Sequence, residues 1–404
     1  MRKRLLCFLL TAALLAGLAL PCFAAGTSAQ TKQKYPIILV HGMLALPMPD
    51  WLISGKQSWL YTQTMLNYEP FTDYEVYAPG IGPVSSSWDG ACELYAQLTG
   101  TTVDYGEAHS KAHNHPRYGK AYTEPLFAGW SKEKKVHLVG HSYGGLWVRM
   151  LETLLRKGDA AERKASGKSV SPLFAGGHDG LVASITTLAT PHNGVSALEL
   201  LDLDSLLGPI GSFFADTGMA DFSAKVGLDF LKCNGVAYTE MLRLLQDRND
   251  YSYGEVTIDR MKELNKVMTL NPKVYYFSYA VDATEPDTGG VRKVGKAMST
   301  FPLHITCGFI AGDKGGTTAG GYKYGAEWQS NDGLVNTVSA KYPFGQTMKN
   351  VTAYTAAKKG IWNVFPVIEG DHAGVVATGF KDAAYLDAIL GNILRGAVAI
   401  EAKV

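Results

Sequence analysis

The chain has 404 residues, of which 46% are hydrophobic and 19% are charged, and its formal net charge at neutral pH is +1. This composition supports a large buried core and excludes a disordered chain, and the balanced charge gives no indication of a nucleic-acid partner. No linker, charge block or internal repeat divides the sequence. We therefore predict a single folded domain over residues 25–404.

The N-terminus has the three-part pattern of a secretory leader. Basic residues in Met1-Arg2-Lys3-Arg4 precede an apolar stretch at 5–20, which ends in Pro21-Cys22-Phe23-Ala24-Ala25. We predict a signal peptide at 1–24, removed after Ala24, and hence a secreted, extracellular protein with no integral membrane segment in the mature chain. Retention of the leader as an anchor is the alternative, and a lipid anchor at Cys22 is disfavoured because Pro21 occupies the small-residue position.

Apolar runs and helical patterns alternate along the chain. Apolar runs typical of strands lie at 35–40, 136–140, 181–189, 274–279 and 303–309, with a further strand-like segment at 364–368. Helical spacing predicts helices at 91–98, 146–156, 257–270 and 383–394. This alternation predicts an α/β fold in which helices cover both faces of a mostly parallel sheet.

A serine lies between one of these strands and the helix that follows it. The segment Gly140-His141-Ser142-Tyr143-Gly144 has the G-x-S-x-G pattern, in which a sharp turn presents the serine hydroxyl for attack and the glycines allow close packing. We predict that Ser142 is the nucleophile of an acyl hydrolase. The alternative is a glycine-rich turn that carries a surface serine.

A serine nucleophile needs a histidine base, and the histidine needs an acid; in α/β-hydrolases the acid and histidine follow the serine in that order. His372, in a loop before the last predicted helix, is our candidate base, while His304 lies within an apolar strand pattern. Asp332 is the favoured acid and Asp313 its competitor. Asp371 is disfavoured because neighbouring loop residues rarely face each other.

Two backbone N–H groups would hold the developing oxyanion. By position, they are those of Tyr143, just after the nucleophile, and of Met43, in the loop after the first strand.

The stretch from Val195 to Gln246 is too apolar for an exposed loop. We predict a helical lid or cap at about 195–246 that covers an acyl-binding cleft and makes transient contact with lipid when open. An ordinary pair of core helices is the alternative.

Three of the ten histidines, His109, His113 and His115, fall within seven residues. Such crowding is typical of metal binding, although no glutamate follows His109 and the pattern is not the H-E-x-x-H of a zinc protease. A polar, metal-free loop is the alternative.

With these segments in view, the sequence resembles the zinc-binding thermoalkalophilic lipases of Gram-positive bacteria, which have the α/β-hydrolase fold. The similarity extends from about Pro36 to His372. The matching segments are Pro36-Ile37-Ile38-Leu39-Val40-His41-Gly42, Ser87-Trp88-Asp89, Ala91-Cys92-Glu93, Tyr95-Ala96-Gln97-Leu98, residues 102–115, Ala189-Thr190-Pro191-His192 and Asn331-Asp332-Gly333-Leu334-Val335-Asn336.

The resemblance implies a structural Zn²⁺ held by Asp89, His109, His115 and Asp250. With all four positions filled by protein, the ion would pin an insertion at about 85–125 to the hydrolase core. Asp247 and Glu255 lie close enough in sequence to compete with Asp250, and His113 would be a bystander.

The chain also departs from the family pattern. Residues 373–380 contain no acid where these lipases usually bind calcium, so calcium is not predicted. The family typically has alanine in place of Gly140 and glutamine in place of Tyr143, and the second change bears on acyl preference.

Together these observations predict a secreted triacylglycerol lipase that hydrolyses carboxylic esters through an acyl-enzyme on Ser142. A soluble carboxylesterase, in which the apolar segment is core, is one alternative. A hydrolase-like binding protein without activity is the other.

Overall fold

The central sheet of the protein is parallel throughout. The computed structural model describes residues 34–43, 74–200, 250–376 and 387–403, with the backbone of 232–233 and 236–237. The seven strands of the sheet are β1 (Ile37–Val40), β2 (Val76–Tyr77), β3 (Val136–His141), β4 (Val182–Leu188), β5 (Tyr275–Tyr279), β6 (Met348–Asn350) and β7 (Trp362–Val364). Their spatial order is β6-β7-β5-β4-β3-β1-β2, with every neighbouring pair parallel. The predicted α/β architecture is confirmed.

The α-helices of the described residues are α1 (Ser87–Thr99), α2 (Glu107–His113), α3 (Gly144–Lys157), α4 (Ala160–Ser166), α5 (Pro172–Ala175), α6 (Ala197–Leu200), α7 (Ser252–Glu255), α8 (Ile258–Val267), α9 (Phe301–Gly312), α10 (Thr337–Lys341) and α11 (Asn392–Glu401). Short strand pairs join Thr102–Asp104 to Tyr118–Ala121, Val281–Asp282 to Ile368–Glu369, Thr284–Pro286 to Arg292–Val294, Gly316–Thr317 to Lys323–Tyr324 and Lys232–Cys233 to Val236–Ala237.

Each face of the sheet carries a separate hydrophobic cluster. Ile38 and Val40 of β1 pack with residues of α1 and α3, whereas Ile37 and Leu39 pack on the opposite face with residues of α11. All four side chains are essentially inaccessible to solvent. This two-sided burial explains why the sequence shows a continuous apolar run in place of an alternating one.

The apolar run at 303–309 is helix α9 and not the predicted strand, so the strand prediction for this segment and for His304 is wrong. Pro302 occupies the first turn of the helix, where a missing N–H has no consequence. Ile305 and Phe309 are more than half exposed, unlike residues of a strand buried on both faces. A short apolar run does not by itself distinguish the two structures.

Smaller differences concern element ends. The segment predicted as one strand at 364–368 contains the last residue of β7 and the first of Ile368–Glu369, with Pro366, which cannot donate to a ladder, between them. The last helix follows a π-helical turn, Asp387–Gly391, and continues to Glu401, further than predicted. Strands β2 and β6 were missed because each has only two or three residues at an edge of the sheet.

Two predictions fall mainly on residues outside those described: the leader at 1–24, and the lid, of which the structure describes 195–200 and two short backbone segments. None of the helices in the described ranges has both the length and the apolarity needed to cross a bilayer.

The tight contact between α1 and α3 generates a prediction about Gly90. A Cβ atom at Gly90 would lie 2.2 Å from Nε1 of Trp147, and that indole is fixed because it donates to the carbonyl oxygens of Ser85 and Ser86. Overpacking should outweigh the helix propensity that alanine adds, so we expect Gly90→Ala to lower the free energy of unfolding by about 1–3 kcal/mol, measured by urea denaturation.

Gly308, inside helix α9, provides the matched control. The nearest atom to a Cβ there is Cγ2 of Val294 at 3.6 Å, an ordinary contact. Gly308→Ala should therefore raise the free energy of unfolding by up to about 1 kcal/mol. Equal effects of the two substitutions would contradict the close α1–α3 packing.

Candidate active site and metal centre

Ser142 lies in a strained turn at the carboxyl end of β3. Its φ is 53°, a left-handed conformation that non-glycine residues adopt rarely and at a cost. The Ser142 N–H donates to the carbonyl oxygen of Leu188 on the neighbouring strand, at 2.8 Å. The turn is thus part of the sheet's hydrogen-bond pattern, and helix α3 begins two residues later.

Three glycines leave this turn the space that it needs. A Cβ atom would lie 2.7 Å from the Ser142 Cβ if placed on Gly42, 2.4 Å from the Gly145 nitrogen if placed on Gly140, and 2.1 Å from the His41 carbonyl oxygen if placed on Gly144. Real Cβ atoms do not approach other atoms so closely. The sequence argument for Gly140 and Gly144 is consistent with this geometry, and Gly42 serves the same purpose.

His372 and Asp332 form a buried pair. The Nδ1 of His372 lies 2.8 Å from Oδ2 of Asp332, and the His372 N–H donates to the Asp332 carbonyl oxygen at 2.8 Å. The other carboxylate oxygen accepts hydrogen bonds from the N–H groups of Leu334 and Val335, at 3.0 and 2.8 Å. Three of these contacts hold the Asp332 carboxylate and the fourth joins the two backbones. The carboxylate lies against the Nδ1 side of the ring, which is the arrangement that orients a catalytic imidazole.

The loop of His372 is held beside the serine turn. Nε2 of His141 donates to the His372 carbonyl oxygen at 2.9 Å, and the centroids of the two rings are 4.8 Å apart. Burial and the charges of His372 and His41 keep the pKa of His141 well below its ordinary value. His141 is therefore neutral, and its hydrogen bond links the residue directly before Ser142, which is His141 itself, to the backbone of His372.

The competing acid Asp313 and the disfavoured Asp371 have hydrogen-bond partners of their own. Asp371 accepts hydrogen bonds from the N–H and hydroxyl groups of both Ser299 and Thr300 and from the N–H groups of Ala373 and Gly374. Asp313 accepts from the Gly315 N–H at 3.0 Å. The Asp371 carboxylate therefore joins its own loop to residues 299 and 300, a contribution that the sequence did not reveal.

The predicted oxyanion donors belong to Tyr143, directly after Ser142, and to Met43, in the loop that contains Gly42. Tyr143 caps helix α3, so its N–H precedes the first bond within the helix. Met43 follows Gly42, which contacts Ser142. His41 holds this loop: its Nδ1 donates to the Gly42 carbonyl oxygen at 2.7 Å, and its Nε2 accepts from the Ile81 N–H at 2.9 Å.

Asp89, His109, His115 and Asp250 converge on one point, with their ligand atoms all within 4.8 Å of one another. Nε2 of His109 is 3.1 Å from an oxygen of Asp89 and 3.1 Å from an oxygen of Asp250. Nε2 of His115 is 3.2 Å from Asp250 and 3.9 Å from Asp89.

The chemistry of this group fits a divalent cation. Five buried atoms have no hydrogen-bond partner among the described residues: both Asp89 oxygens, Oδ1 of Asp250 and Nε2 of both histidines. Ligands of a tetrahedral zinc with bonds of 2.0–2.1 Å are about 3.3 Å apart, close to the separations observed. Two carboxylates and two neutral imidazoles also balance a charge of +2.

Neighbouring groups orient these side chains. Nδ1 of His115 donates to the Pro116 carbonyl oxygen at 2.9 Å, which leaves the Nε2 lone pair for a ligand, and the His109 ring stacks on Trp88 at 5.0 Å. Burial lowers and the two carboxylates raise the pKa of His109, with a net value of about 10. Protons and a metal ion therefore compete for the same nitrogen.

The alternatives to Asp250 are placed differently. Glu255 binds the Ser87 N–H and the Tyr143 hydroxyl and does not join the group, and Asp247 lies outside the described residues. His113 is a neighbour of His109, with ring centroids 4.5 Å apart, but it does not point a ligand atom at the cluster.

Comparison with known proteins shows the family to which the chain belongs. Residues 33–400 match the family described as "Lipase-like, C-terminal domain". The chain belongs to this family. Among curated members, Lipase 2 of Staphylococcus aureus is 32% identical over 385 residues, which are 91% of this chain and 54% of the relative. The chain thus spans about half the length of the curated relatives it matches.

Two solved structures share the fold. The lipase of Staphylococcus hyicus is 27% identical with a TM-score of 0.72, covering 94% of this chain and 97% of its own. EstA of Clostridium botulinum is 29% identical with a TM-score of 0.73, covering 92% and 90%. The similarity to Gram-positive lipases inferred from the sequence is confirmed.

The contacts of His41 predict a pH dependence of stability. Burial lowers the pKa of His41 from 6.5 to about 4, because protonation would place a charge in the core. A histidine whose folded pKa is depressed contributes stability above pH 6.5 and loses it as the pH falls through 4. We expect the free energy of unfolding to drop by about 3 kcal/mol from this group over that range. Urea denaturation at several pH values should give a flatter profile for His41→Gln, and equal slopes in both proteins would contradict this role.

Proposed function

We propose that the protein is a secreted triacylglycerol lipase that hydrolyses carboxylic esters with Ser142, His372 and Asp332. The observation that carries the proposal is the His372–Asp332 pair, with a separation of 2.8 Å, held by His141 beside a serine at φ 53°. The family assignment and the relatives named lipases support it. Secretion rests on the leader pattern at 1–24.

Acylation follows from this arrangement. The Ser142 hydroxyl attacks the ester carbonyl carbon while Nε2 of His372 takes its proton, and the same nitrogen then gives that proton to the leaving alcohol. Asp332 accepts from Nδ1–H throughout, so the neutral ring presents a free Nε2 and the imidazolium is stabilised by a neighbouring carboxylate.

Deacylation follows the same steps, with water as the nucleophile that attacks the acyl-enzyme. Nε2 of His372 removes a proton from the water, the tetrahedral intermediate collapses, and Ser142 recovers its proton as the fatty acid leaves. In both halves the negative oxygen is stabilised by the N–H groups of Met43 and Tyr143, each donor being worth roughly 3 kcal/mol in comparable sites.

Exposed apolar side chains near Asp332 favour a lipid substrate over a water-soluble ester. Ile305 and Phe309, one turn apart on α9, are 56% and 55% exposed, and Leu334 is 39% exposed. The hydroxyl of Thr306 donates to the Gly333 carbonyl oxygen, and so ties this helix to the Asp332 turn. An apolar surface at this position suits contact with a lipid interface, as the lid predicted at about 195–246 also would.

We further propose that Asp89, His109, His115 and Asp250 hold one structural Zn²⁺. Two imidazole nitrogens and two carboxylate oxygens form a closed set of zinc ligands, and the ion would supply a cross-link between α1, α2 and the segment before α7. No step of the ester reaction uses it.

The catalytic roles predict the behaviour of two substitutions. Ser142→Ala should lower hydrolysis of p-nitrophenyl esters by about 10⁴-fold or more. It should also abolish labelling by a fluorophosphonate, because both reactions need the hydroxyl. Asp332→Asn should lower kcat by about 10⁴-fold because an amide favours the wrong tautomer of His372.

The wild type should prefer emulsified long-chain esters over soluble butyrate esters.

Asp313→Asn is the matched control for the acid, since it makes the same change in the competing residue, and its kcat should stay within about 2-fold of the wild type. Turnover by the Ser142 variant would remove the assignment of the nucleophile. A larger loss at Asp313 than at Asp332 would reassign the acid, and a preference for butyrate esters without activation by emulsion would make the protein a carboxylesterase.

The metal proposal predicts one zinc per chain by elemental analysis. Removing it with a strong chelator should leave two buried carboxylates close together and lower the melting temperature. The free energy of unfolding should fall by about 4 kcal/mol if free zinc is about 1,000 times its Kd. His115→Ala should lose the zinc, whereas His113→Ala should keep it. Equal zinc contents and melting temperatures in all three proteins would refute the assigned ligands.

A further inference from the structure

Glu255 is a buried acid that the proposed reaction does not use. It ends helix α7, five residues after Asp250, and is only 3% exposed. Its Oε2 accepts a hydrogen bond from the Ser87 N–H at 2.7 Å and another, short one from the hydroxyl of Tyr143. A single carboxylate oxygen therefore joins the beginning of helix α1 to the residue that follows the nucleophile.

The Tyr143 side chain is held along its whole length. Its ring is 1% exposed and meets the ring of Trp147 edge-on, with centroids 5.2 Å apart. Its hydroxyl binds Glu255, and its backbone lies between Ser142 and the first residue of α3. Since the side chain and the N–H group share one Cα, a fixed side chain restricts the direction of the N–H group that would face the oxyanion.

The two segments that carry the metal-ligating carboxylates meet at the same place. Ser85 pairs with Tyr251 in an antiparallel bridge, and the Ser252 N–H donates to the Val84 carbonyl oxygen at 3.0 Å. On one of these segments Ser87 is two residues before Asp89, and on the other Glu255 follows Asp250. The position of Glu255 therefore depends on how these segments are held together.

We propose that Glu255 is a positioning residue for the nucleophile turn, and that its bond to the Tyr143 hydroxyl couples the metal cluster to the oxyanion donor at residue 143. This inference rests on the proposed ester hydrolysis and metal site. Breaking the bond leaves substrate binding intact and misaligns a donor whose full effect is realised only in the transition state, so kcat falls while KM changes little.

Tyr143→Phe tests the link because it removes one hydroxyl and keeps both the ring and the backbone N–H. We expect a loss in kcat of about 10-fold, below the 10²–10³-fold cost of deleting an oxyanion donor, with KM within about 2-fold. Glu255→Gln, made alone, retains an acceptor for both donors, so this variant should keep most of the wild-type kcat.

Tyr105→Phe is the matched control. Tyr105 is another buried tyrosine, and its hydroxyl donates to the buried carboxylate of Glu93 at 3.1 Å. The Tyr105→Phe variant should lose about as much thermal stability as Tyr143→Phe and keep the wild-type kcat. An equal loss of kcat in the two variants would make the effect one of general stability and overturn the proposal.

The coupling has a readout that does not depend on turnover, the rate at which a fluorophosphonate labels Ser142. Chelation of the metal should slow labelling of the wild type and slow Tyr143→Phe by a smaller factor, because that variant has already lost the link. Equal factors, or no slowing of the wild type, would overturn the coupling. If Ser142→Ala is labelled or turns over esters, the proposed function fails by itself, whatever Tyr143→Phe shows.

Discussion

The site depends on one constraint, the left-handed conformation of Ser142 between β3 and α3. A side chain at φ 53° is tolerated only where the surroundings determine the backbone completely, and here they do so through contacts that leave no room for a Cβ at residues 42, 140 and 144. The same close packing brings the ends of β1 and β3 together. Met43 and Tyr143 directly follow Gly42 and Ser142 in the chain, and the packing of the sheet offsets the cost of the strain.

A second constraint is electrostatic. Burial together with the Asp250 carboxylate raises the pKa of Asp89, and burial raises the pKa of Glu93 to about 7 and that of Glu255. Different partners offset the cost of burying these acids. Asp89 has two imidazoles and a proposed cation, whereas Glu93 and Glu255 accept hydrogen bonds from hydroxyl and backbone N–H groups. Unpaired, any of them would cost several kcal/mol. The region around α1 therefore keeps its shape only while every acid keeps its partner.

Sequence reasoning worked where a residue's surroundings are local. The turn at Ser142 and the strand before it follow from contiguous patterns, and resemblance supplied the four metal-ligand candidates. It failed at α9, because an apolar run of seven residues has no period that separates a strand from a helix. It also missed Glu255, whose partners at Ser87 and Tyr143 are 168 and 112 residues away in the chain. Contacts at such separations leave no local signal.

Gly140 and Tyr143 are the two residues at which the serine turn differs from the pattern that the resemblance implies, and they lie on either side of Ser142 in the sequence. An alanine at residue 140 would place its Cβ 2.4 Å from the Gly145 nitrogen, so helix α3 approaches β3 more closely here than alanine permits. At residue 143 the tyrosine ring is buried against Trp147, and its hydroxyl donates a hydrogen bond to the Glu255 carboxylate. A glutamine offers neither the rigid ring nor the acidic proton. In this chain the close approach of helix α3 at Gly140 and the bond from the Tyr143 hydroxyl to Glu255 both restrict the residues on either side of Ser142 in the sequence.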